Sequence, residues 1–172
     1  MIFSIRWRHI AAILYLIVVM AHNGCSSKPV SGPPAPDFSL EDLSGKTISL
    51  KEHRGQFVLI DFWATWCPPC LMSIPELVDL HKTYRDKGLV VLGISLDDPG
   101  RVDNGSLASF LREHKIEYII LRGDEKVVRD YAGDKGMAIP TMFFVNRDGQ
   151  IVDKLIGFVP GRVEASIKKI LG

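Results

Sequence analysis

Two cysteines, Cys67 and Cys70, stand between a predicted strand and a predicted helix, and this placement constrains both the fold and the chemistry. The apolar run 57–63 precedes them, and apolar residues at three- and four-residue steps follow them to about Lys87. At such a junction the first sulfur lies at a helix N-terminus, where the dipole stabilises a thiolate. The pattern therefore predicts a βα unit that carries a dithiol or disulfide enzyme.

The composition of the chain excludes several other classes of protein. Its 172 residues suit one domain of ordinary size once an N-terminal segment is set aside. The 21 basic and 20 acidic residues leave a net charge of +1, so nothing indicates binding to nucleic acid or to a strongly charged partner. The three cysteines are too few for a disulfide scaffold. The pair Cys67 and Cys70 encloses too short a loop to stabilise much chain, so it is suited to redox cycling.

Residues 1–25 have the pattern of a targeting segment. Arg6 and Arg8 precede an apolar stretch, residues 10–21, which is short for a membrane span but matches the apolar part of a secretory signal. We therefore expect the chain to leave the cytoplasm. Cys25 resembles the last residue of a bacterial lipobox and is a candidate site of lipid attachment, although His22 stands where Leu is usual. An uncleaved anchor and ordinary cleavage nearby are the alternatives.

Residues 26–36 are rich in Ser and Pro, a composition that cannot form a core and that predicts a tether. The folded domain is expected to begin near Asp37 and to occupy residues 37–172. Within it, hydrophobic periodicity and turn residues predict alternating strands and helices. The predicted elements are a short hairpin over 38–50, strands at 56–63, 89–96 and 118–121, helices at 106–114, 124–131 and 161–171, and a hairpin formed by 141–146 and 150–156.

Two local features of these elements matter below. Ser106 is the predicted N-cap of its helix. The run 89–96 is apolar throughout, which is typical of a strand buried on both faces in a βαβ unit. Asp97 and Asp98 follow that strand and are predicted to form a turn, because they offer too few ordered ligands for calcium.

The segment from Asp61 to Cys70, together with Ile139, Pro140 and Thr141 much later in the chain, resembles the thioredoxin superfamily. Within it, residues 36–171 are most similar to the TlpA/ResA-like extracytoplasmic thiol-disulfide oxidoreductases. The resemblance implies an α/β, thioredoxin-like fold, with a central mixed β-sheet flanked by helices and an added N-terminal β-hairpin. It implies no cofactor beyond the redox-active disulfide of the two cysteines.

The two cysteines have distinct predicted roles. Cys67, at the exposed helix start, is the attacking thiolate, and Cys70 lies one turn deeper, where it can resolve a mixed disulfide. Pro68 and Pro69 lack N–H groups, so they withhold donors from the thiolate and should tune the redox potential. A zinc site is the alternative for this spacing, but no second C-x-x-C and no nearby histidine completes a ligand set.

Asp61 is a candidate proton acceptor for Cys70. It lies in a strand that otherwise reads as buried, where an unpaired carboxyl has a raised pKa. The resemblance supports this role, because thioredoxin has an aspartate here, whereas many TlpA/ResA-like proteins have asparagine. Those relatives often carry an acid three residues after the second cysteine, and this chain has Ser73 there. A hydrogen-bonded structural acid is the alternative for Asp61.

The resemblance also implies a substrate-binding groove. Ile139 and Pro140 correspond to the cis-proline loop that faces the cysteines, and the free backbone of Ile139 can pair with an extended substrate segment. Trp66 is expected to border the groove, together with Pro68 and Pro69, while Trp63 is expected in the core.

These residues predict a membrane-tethered oxidoreductase that acts on protein disulfides outside the cytoplasm. By resemblance, its partners would be disulfide or dithiol substrates such as apocytochrome c and a membrane thiol reductant. A peroxidase is the alternative, because Ala35 to Phe38 also resembles the start of peroxiredoxins. Those proteins have a threonine three residues before the reactive cysteine, whereas Thr65 lies two before Cys67. A redox-inert binding module is a third possibility, against which the two cysteines argue.

Overall fold

An apolar strand, Phe57–Trp63, lies at the centre of the computed structural model, which describes residues 32–171. It is the middle strand of a five-stranded sheet, and a separate two-stranded hairpin precedes it in the chain. The strands are β1 (Ser39–Glu41), β2 (Thr47–Ser49), β3 (Phe57–Trp63), β4 (Leu89–Ser95), β5 (Ile119–Arg122), β6 (Thr141–Val145) and β7 (Ile151–Ile156).

Four α-helices flank the sheet. They are α1 (Pro68–Tyr84), α2 (Asn104–Glu113), α3 (Glu125–Ala132) and α4 (Arg162–Leu171), and short 3-10 turns occur at Leu50–His53, Arg85–Lys87 and Gly133–Lys135. The strand order is β5-β4-β3-β6-β7. The first three strands are parallel, and β6 is antiparallel to both of its neighbours. This arrangement confirms the predicted mixed sheet and the added hairpin.

Alternating side chains of β3 enter two separate cores. Leu59 and Trp63 pack with apolar residues of α1, α2 and α4 on one face. Ile60 and Phe62 pack on the other face with residues of the β1–β2 hairpin and of α3. Because both faces are covered, β3 and β4 are apolar at nearly every position, as expected for the interior strands of an α/β sheet, and the polar exceptions are Asp61 in β3 and Ser95 in β4.

The strand directions bring three chain segments to the same end of the sheet. The parallel strands β3 and β4 end together, with Trp63 opposite Ser95. Strand β6 runs in the opposite direction, so its first residue, Thr141, lies opposite Phe62 at that same end of the sheet. The loop that leads into α1 and the loop that leads into β6 therefore meet there, as the sequence prediction required.

The prediction that Ser106 caps α2 is wrong. The cap is Asp103, whose backbone is extended (φ −67°, ψ 173°) and whose carboxylate accepts a hydrogen bond of 2.7 Å from the N–H of Ser106. Ser106 therefore lies within the first turn of the helix. An aspartate at the N-cap satisfies a free helix N–H and also interacts favourably with the helix dipole.

The ordered contacts of the domain begin before Asp37, the predicted boundary. Pro33 and Ala35 exchange backbone hydrogen bonds of 2.9 Å with Ile151 and Gly149, and the Ala35 side chain is buried. The hydroxyl of Tyr131 donates to the carbonyl of Pro36 at 2.8 Å. Proline cannot donate from its nitrogen but its carbonyl still accepts, so this proline-rich stretch can line the edge of a sheet.

The predicted targeting segment, the candidate lipid site Cys25 and residues 26–31 of the predicted tether lie outside the described residues. Across residues 32–171, the structure has no helix with the length and apolar character needed to cross a membrane.

A chain that begins at Asp37 should be less stable than one that begins at Gly32, by about 3 kcal/mol, because it loses three hydrogen bonds that are each worth about 1 kcal/mol. Urea unfolding of the two chains measures the difference. Tyr131→Phe, which removes one of the three bonds, should lose about a third of that amount. Equal stability of the two chains would show that residues 32–36 contribute nothing to the fold.

Candidate active site

The two cysteines form a disulfide at the N-terminus of α1. Cys67 is the N-cap residue, with an extended backbone (φ −99°, ψ 103°), and Cys70 lies in the first turn. The N–H of Cys70 points at the sulfur of Cys67 at 3.3 Å. The helix terminus therefore presents a donor to the sulfur on which negative charge develops when the bond is reduced.

Pro68 and Pro69 fill the first two positions of the helix, so the N–H of Cys70 is the first backbone donor that the helix offers. A helix without these prolines would present two further N–H groups at this end. Both proline side chains are exposed beside the disulfide. The two prolines therefore lie at the surface beside the disulfide, and their effect on the redox potential stays a prediction.

The loop before β6 covers the disulfide. The peptide bond between Ile139 and Pro140 is cis, and the carbonyl oxygen of Ile139 lies 3.6 Å from the sulfur of Cys67. The Thr141 hydroxyl donates to the carbonyl of Ala138 at 2.6 Å, and the N–H of Gly157 donates to the carbonyl of Pro140 at 2.8 Å. These bonds hold the loop in place over the first cysteine.

The prediction that Cys67 is exposed is wrong: both cysteines are buried, because the Ile139 loop lies over the first sulfur, but apolar side chains beside them are exposed. Trp66 is 66% exposed, whereas Trp63 is only 1% exposed and belongs to the core. Three other large apolar side chains that the sequence argument did not single out are also exposed at this end of the sheet. They are Met72, Ile156 and Val159. Sequence alone does not distinguish such residues from core residues, because their exposure depends on the tertiary contacts of each element.

Asp61 is a buried carboxyl on the face of β3 that packs under α1. It is 2% exposed, and its Oδ1 has no hydrogen-bond partner. Burial raises its pKa to about 7, because the charged form loses its solvation. The neighbouring strand has Gly93 opposite it, and the rings of Trp63 and Tyr118 occupy the space over that glycine.

Ser73 occupies the position at which similar proteins often carry an acid. Its side chain is fully buried, and its hydroxyl donates to the carbonyl of Cys70 at 2.7 Å. It therefore completes the backbone bonding of the first helical turn. Ser73 therefore supplies no carboxyl beneath α1, and the buried acid on this face of β3 is Asp61.

The sequence argument treated Asp97 as a turn residue, but the structure buries it behind the loop that leads to Cys67. Its carboxylate bonds the backbone and the hydroxyl of Thr65. The partners are separated by 32 residues, so no local pattern could reveal this contact. In the part of the chain that the structure covers, no group of three or more His, Cys, Asp or Glu side chains is arranged to hold a metal ion.

A disulfide at a helix start, placed at the carboxyl end of a central strand and faced by a cis-proline loop, is the site of a thioredoxin-like thiol-disulfide oxidoreductase. The chain belongs to the AhpC/TSA family, whose model matches residues 31–154.

Similar proteins support this assignment. The chain is 34% identical over 161 residues to the thioredoxin-like protein YneN of Bacillus subtilis, covering 88% of this chain and 90% of that one. It is 30% identical over 127 residues to the thiol-disulfide oxidoreductase ResA of Bacillus cereus, covering 73% and 69%. A thiol:disulfide interchange protein from Chlorobium tepidum has a similar structure, with a TM-score of 0.72 and 28% identity, covering 82% of this chain and 97% of that one.

Asp61→Asn should stabilise the oxidised protein above neutral pH. The pKa of Asp61 is about 7 in the folded state against 3.8 in the unfolded state, so the folded state binds more protons between those values. The wild type therefore loses stability relative to the variant as pH rises from about 4 to about 7, by up to about 4 kcal/mol. Urea unfolding at pH 4.5 and pH 8 measures this loss.

The exposed Asp148 provides a matched control, because Asp148→Asn removes a carboxyl that is in contact with solvent. That variant should follow the wild type at both pH values. If Asp61→Asn and the wild type differ by the same amount at both pH values, Asp61 does not titrate near neutral pH in the folded protein.

Proposed function

We propose that this protein reduces protein disulfides on the extracytoplasmic side of a membrane to which its N-terminus is tethered. The observation that carries the proposal is the sulfur of Cys67, which lies between the first N–H of α1 and the carbonyl of Ile139. This position stabilises an attacking thiolate and leaves the loop backbone beside it to align a substrate strand.

The surface around the disulfide supports a polypeptide substrate. Trp66 and Met72 are about two-thirds exposed on the α1 side, at 66% and 65%. Ile156, also 66% exposed, pairs with Thr141, the residue that follows the cis-proline loop. Exposed apolar side chains grouped at one site mark a surface for interaction with another protein.

The reaction that fits this site has two exchange steps. The thiolate of Cys67 attacks one sulfur of the substrate disulfide, a mixed disulfide forms, and the other substrate sulfur leaves as a thiolate that takes up a proton. Cys70 then attacks the sulfur of Cys67, which forms the internal disulfide and releases the first substrate sulfur, which is protonated in turn. The substrate gains two electrons and two protons. The protein loses two electrons and the proton of Cys70, and solvent supplies the second proton, which Cys67 released when it ionised.

Asp61 supports the second step. Cys70 is a thiol before it attacks, and a nearby base accelerates the attack by accepting its proton. A carboxyl with a pKa of about 7 can take a proton and release it again near neutral pH. We therefore assign the role of proton acceptor to Asp61.

Two features support the extracytoplasmic location and the tether. Arg6, Arg8 and the apolar stretch 10–21 have the pattern of a secretory signal, and Cys25 is the candidate lipid attachment site. The N-terminal segment enters the domain beside Gly149, at the end of the sheet opposite the disulfide. An anchor on that side leaves the active site free to face its partners.

The partners proposed here follow from the compartment and the family resemblance. Disulfides persist in an oxidising compartment, so a dedicated reductant is useful there. The resemblance to TlpA/ResA-like proteins favours apocytochrome c, before haem attachment, as the substrate. A membrane thiol reductant would return the internal disulfide to the dithiol.

A peroxidase remains the second function that the family allows, and the structure does not favour it. Thr65 lies two residues before Cys67, and its hydroxyl donates to Asp97 at 2.7 Å. That hydroxyl is therefore engaged away from the cysteine.

Insulin reduction should separate the two functions. The wild type should accelerate the reduction of insulin by dithiothreitol and should consume hydroperoxide no faster than free thiol does. Cys67→Ser should abolish the insulin activity, because it removes the sulfur at the helix N-cap, where the N–H of Cys70 stabilises the attacking thiolate. Reductase activity that survives in Cys67→Ser would exclude Cys67 as the nucleophile, and efficient hydroperoxide consumption by the wild type would favour the peroxidase.

Cys70→Ala should trap the substrate. Without the resolving thiol, the mixed disulfide on Cys67 should persist and should survive non-reducing electrophoresis. Mass spectrometry of the trapped species from cells that make c-type cytochromes should identify apocytochrome c. The double variant Cys67→Ser, Cys70→Ala is the control and should trap nothing. Recovery of other proteins without apocytochrome c would reject that substrate.

A further inference from the structure

A second buried carboxylate, Asp97, lies beside the loop that carries Cys67 and has no part in the mechanism above. It is 3% exposed. Its Oδ1 accepts a hydrogen bond of 2.7 Å from the hydroxyl of Thr65, and its Oδ2 accepts one of 2.9 Å from the hydroxyl of Ser95. The N–H of Thr65 lies 3.2 Å from both oxygens. The backbone N–H is an obligatory donor, so the arrangement suits an ionised carboxylate.

Among the residues that the structure describes, this carboxylate has no ion-pair partner. Asp97 also lines a cleft of about 720 Å³, and the other charged residues that line this cleft are mostly acidic. The charged residues that line the cleft with Asp97 are Asp98, Asp124, Glu125, Asp134 and Arg129.

Asp97 lies close enough to Cys67 for its charge to act on the sulfur. Thr65, which it bonds, is two residues before Cys67, and the intervening turn is closed by a hydrogen bond of 3.2 Å from the N–H of Cys67 to the carbonyl of Ala64. Chain geometry then places the carboxylate on the order of 10 Å from the sulfur. At that distance, through protein rather than bulk water, one charge still changes an equilibrium severalfold.

We propose that Asp97 lowers the reduction potential of the Cys67–Cys70 pair by opposing the negative charge of the Cys67 thiolate. Reduction that leaves Cys67 as a thiolate adds two electrons and one proton to the disulfide, and this negative charge appears only in the reduced protein. An adjacent negative charge therefore raises the energy of the reduced form alone. The equilibrium moves toward the disulfide, so the dithiol gives up its electrons more readily, as the proposed reductase function requires.

Three substitutions separate this electrostatic role from a structural one. Asp97→Asn removes the charge but keeps the shape, since its amide can accept from Thr65 and donate to Ser95. Thr65→Val removes the hydroxyl that bonds Asp97 and leaves the charge in place. Asp98→Asn removes a neighbouring but exposed charge, which solvent screens.

The test is equilibration of each full-length variant with glutathione redox buffers at pH 7. Asp97→Asn should shift the equilibrium constant about fivefold toward the dithiol, a potential about 20 mV higher. In the reduced variant, iodoacetamide should also alkylate Cys67 at lower pH than in the wild type. Thr65→Val and Asp98→Asn should stay within about twofold of the wild type.

Two results would overturn the proposal. One is an unchanged potential in Asp97→Asn, and the other is an equal shift in Thr65→Val, which would assign the effect to loop position. If Asp97→Asn does not fold, Asp97→Ser also removes the charge, and water from the adjoining cleft can replace the lost atoms. Because glutathione replaces the protein substrate here, a wild type that fails to reduce insulin would overturn the proposed function without affecting this test.

Discussion

The burial of β3 on both faces and its pairing along both edges determine where the chemistry takes place. Each residue of β3 has a partner in β4, and residues 58–62 also have one in β6. The end of the strand at Trp63 is therefore fixed, and α1 must start a few residues later. This rigid framework fixes the position of the Cys67 sulfur. The loop before β6 reaches that sulfur because β6, which is antiparallel to β3, begins at the same end of the sheet.

The elements that could be predicted from sequence are those with a local signature. The apolar runs, the helical periodicity after Cys70 and the turn residues predict the sheet, most helix positions and the position of the two cysteines between a strand and a helix. Asp97 could not be found in this way, because its partner Thr65 is distant in sequence and two adjacent acids before a proline indicate a turn. Residues 33–36 were assigned to a tether because proline content does not show whether the carbonyls have partners.

The two buried acids near the site, Asp61 and Asp97, differ in the number of hydrogen-bond donors that their carboxyl oxygens receive. Asp61 has an oxygen without a donor, so burial favours its neutral form and the group can exchange a proton. Asp97 receives donors on both oxygens and lies next to an open cleft. The same side-chain type therefore suits the two different roles proposed above, proton transfer by Asp61 and a fixed negative charge at Asp97.

The strand-like segment Pro33–Ala35 also affects how the molecule meets other copies of itself. β7 is the outermost strand of the sheet, and an outermost strand offers free N–H and C=O groups to any passing chain. At the start of β7 those groups are already occupied by the N-terminal segment. Pro33, Pro34 and Pro36 lack N–H groups, so the outer side of that segment cannot continue the ladder. Two copies of the protein would thus be hindered from joining edge to edge there.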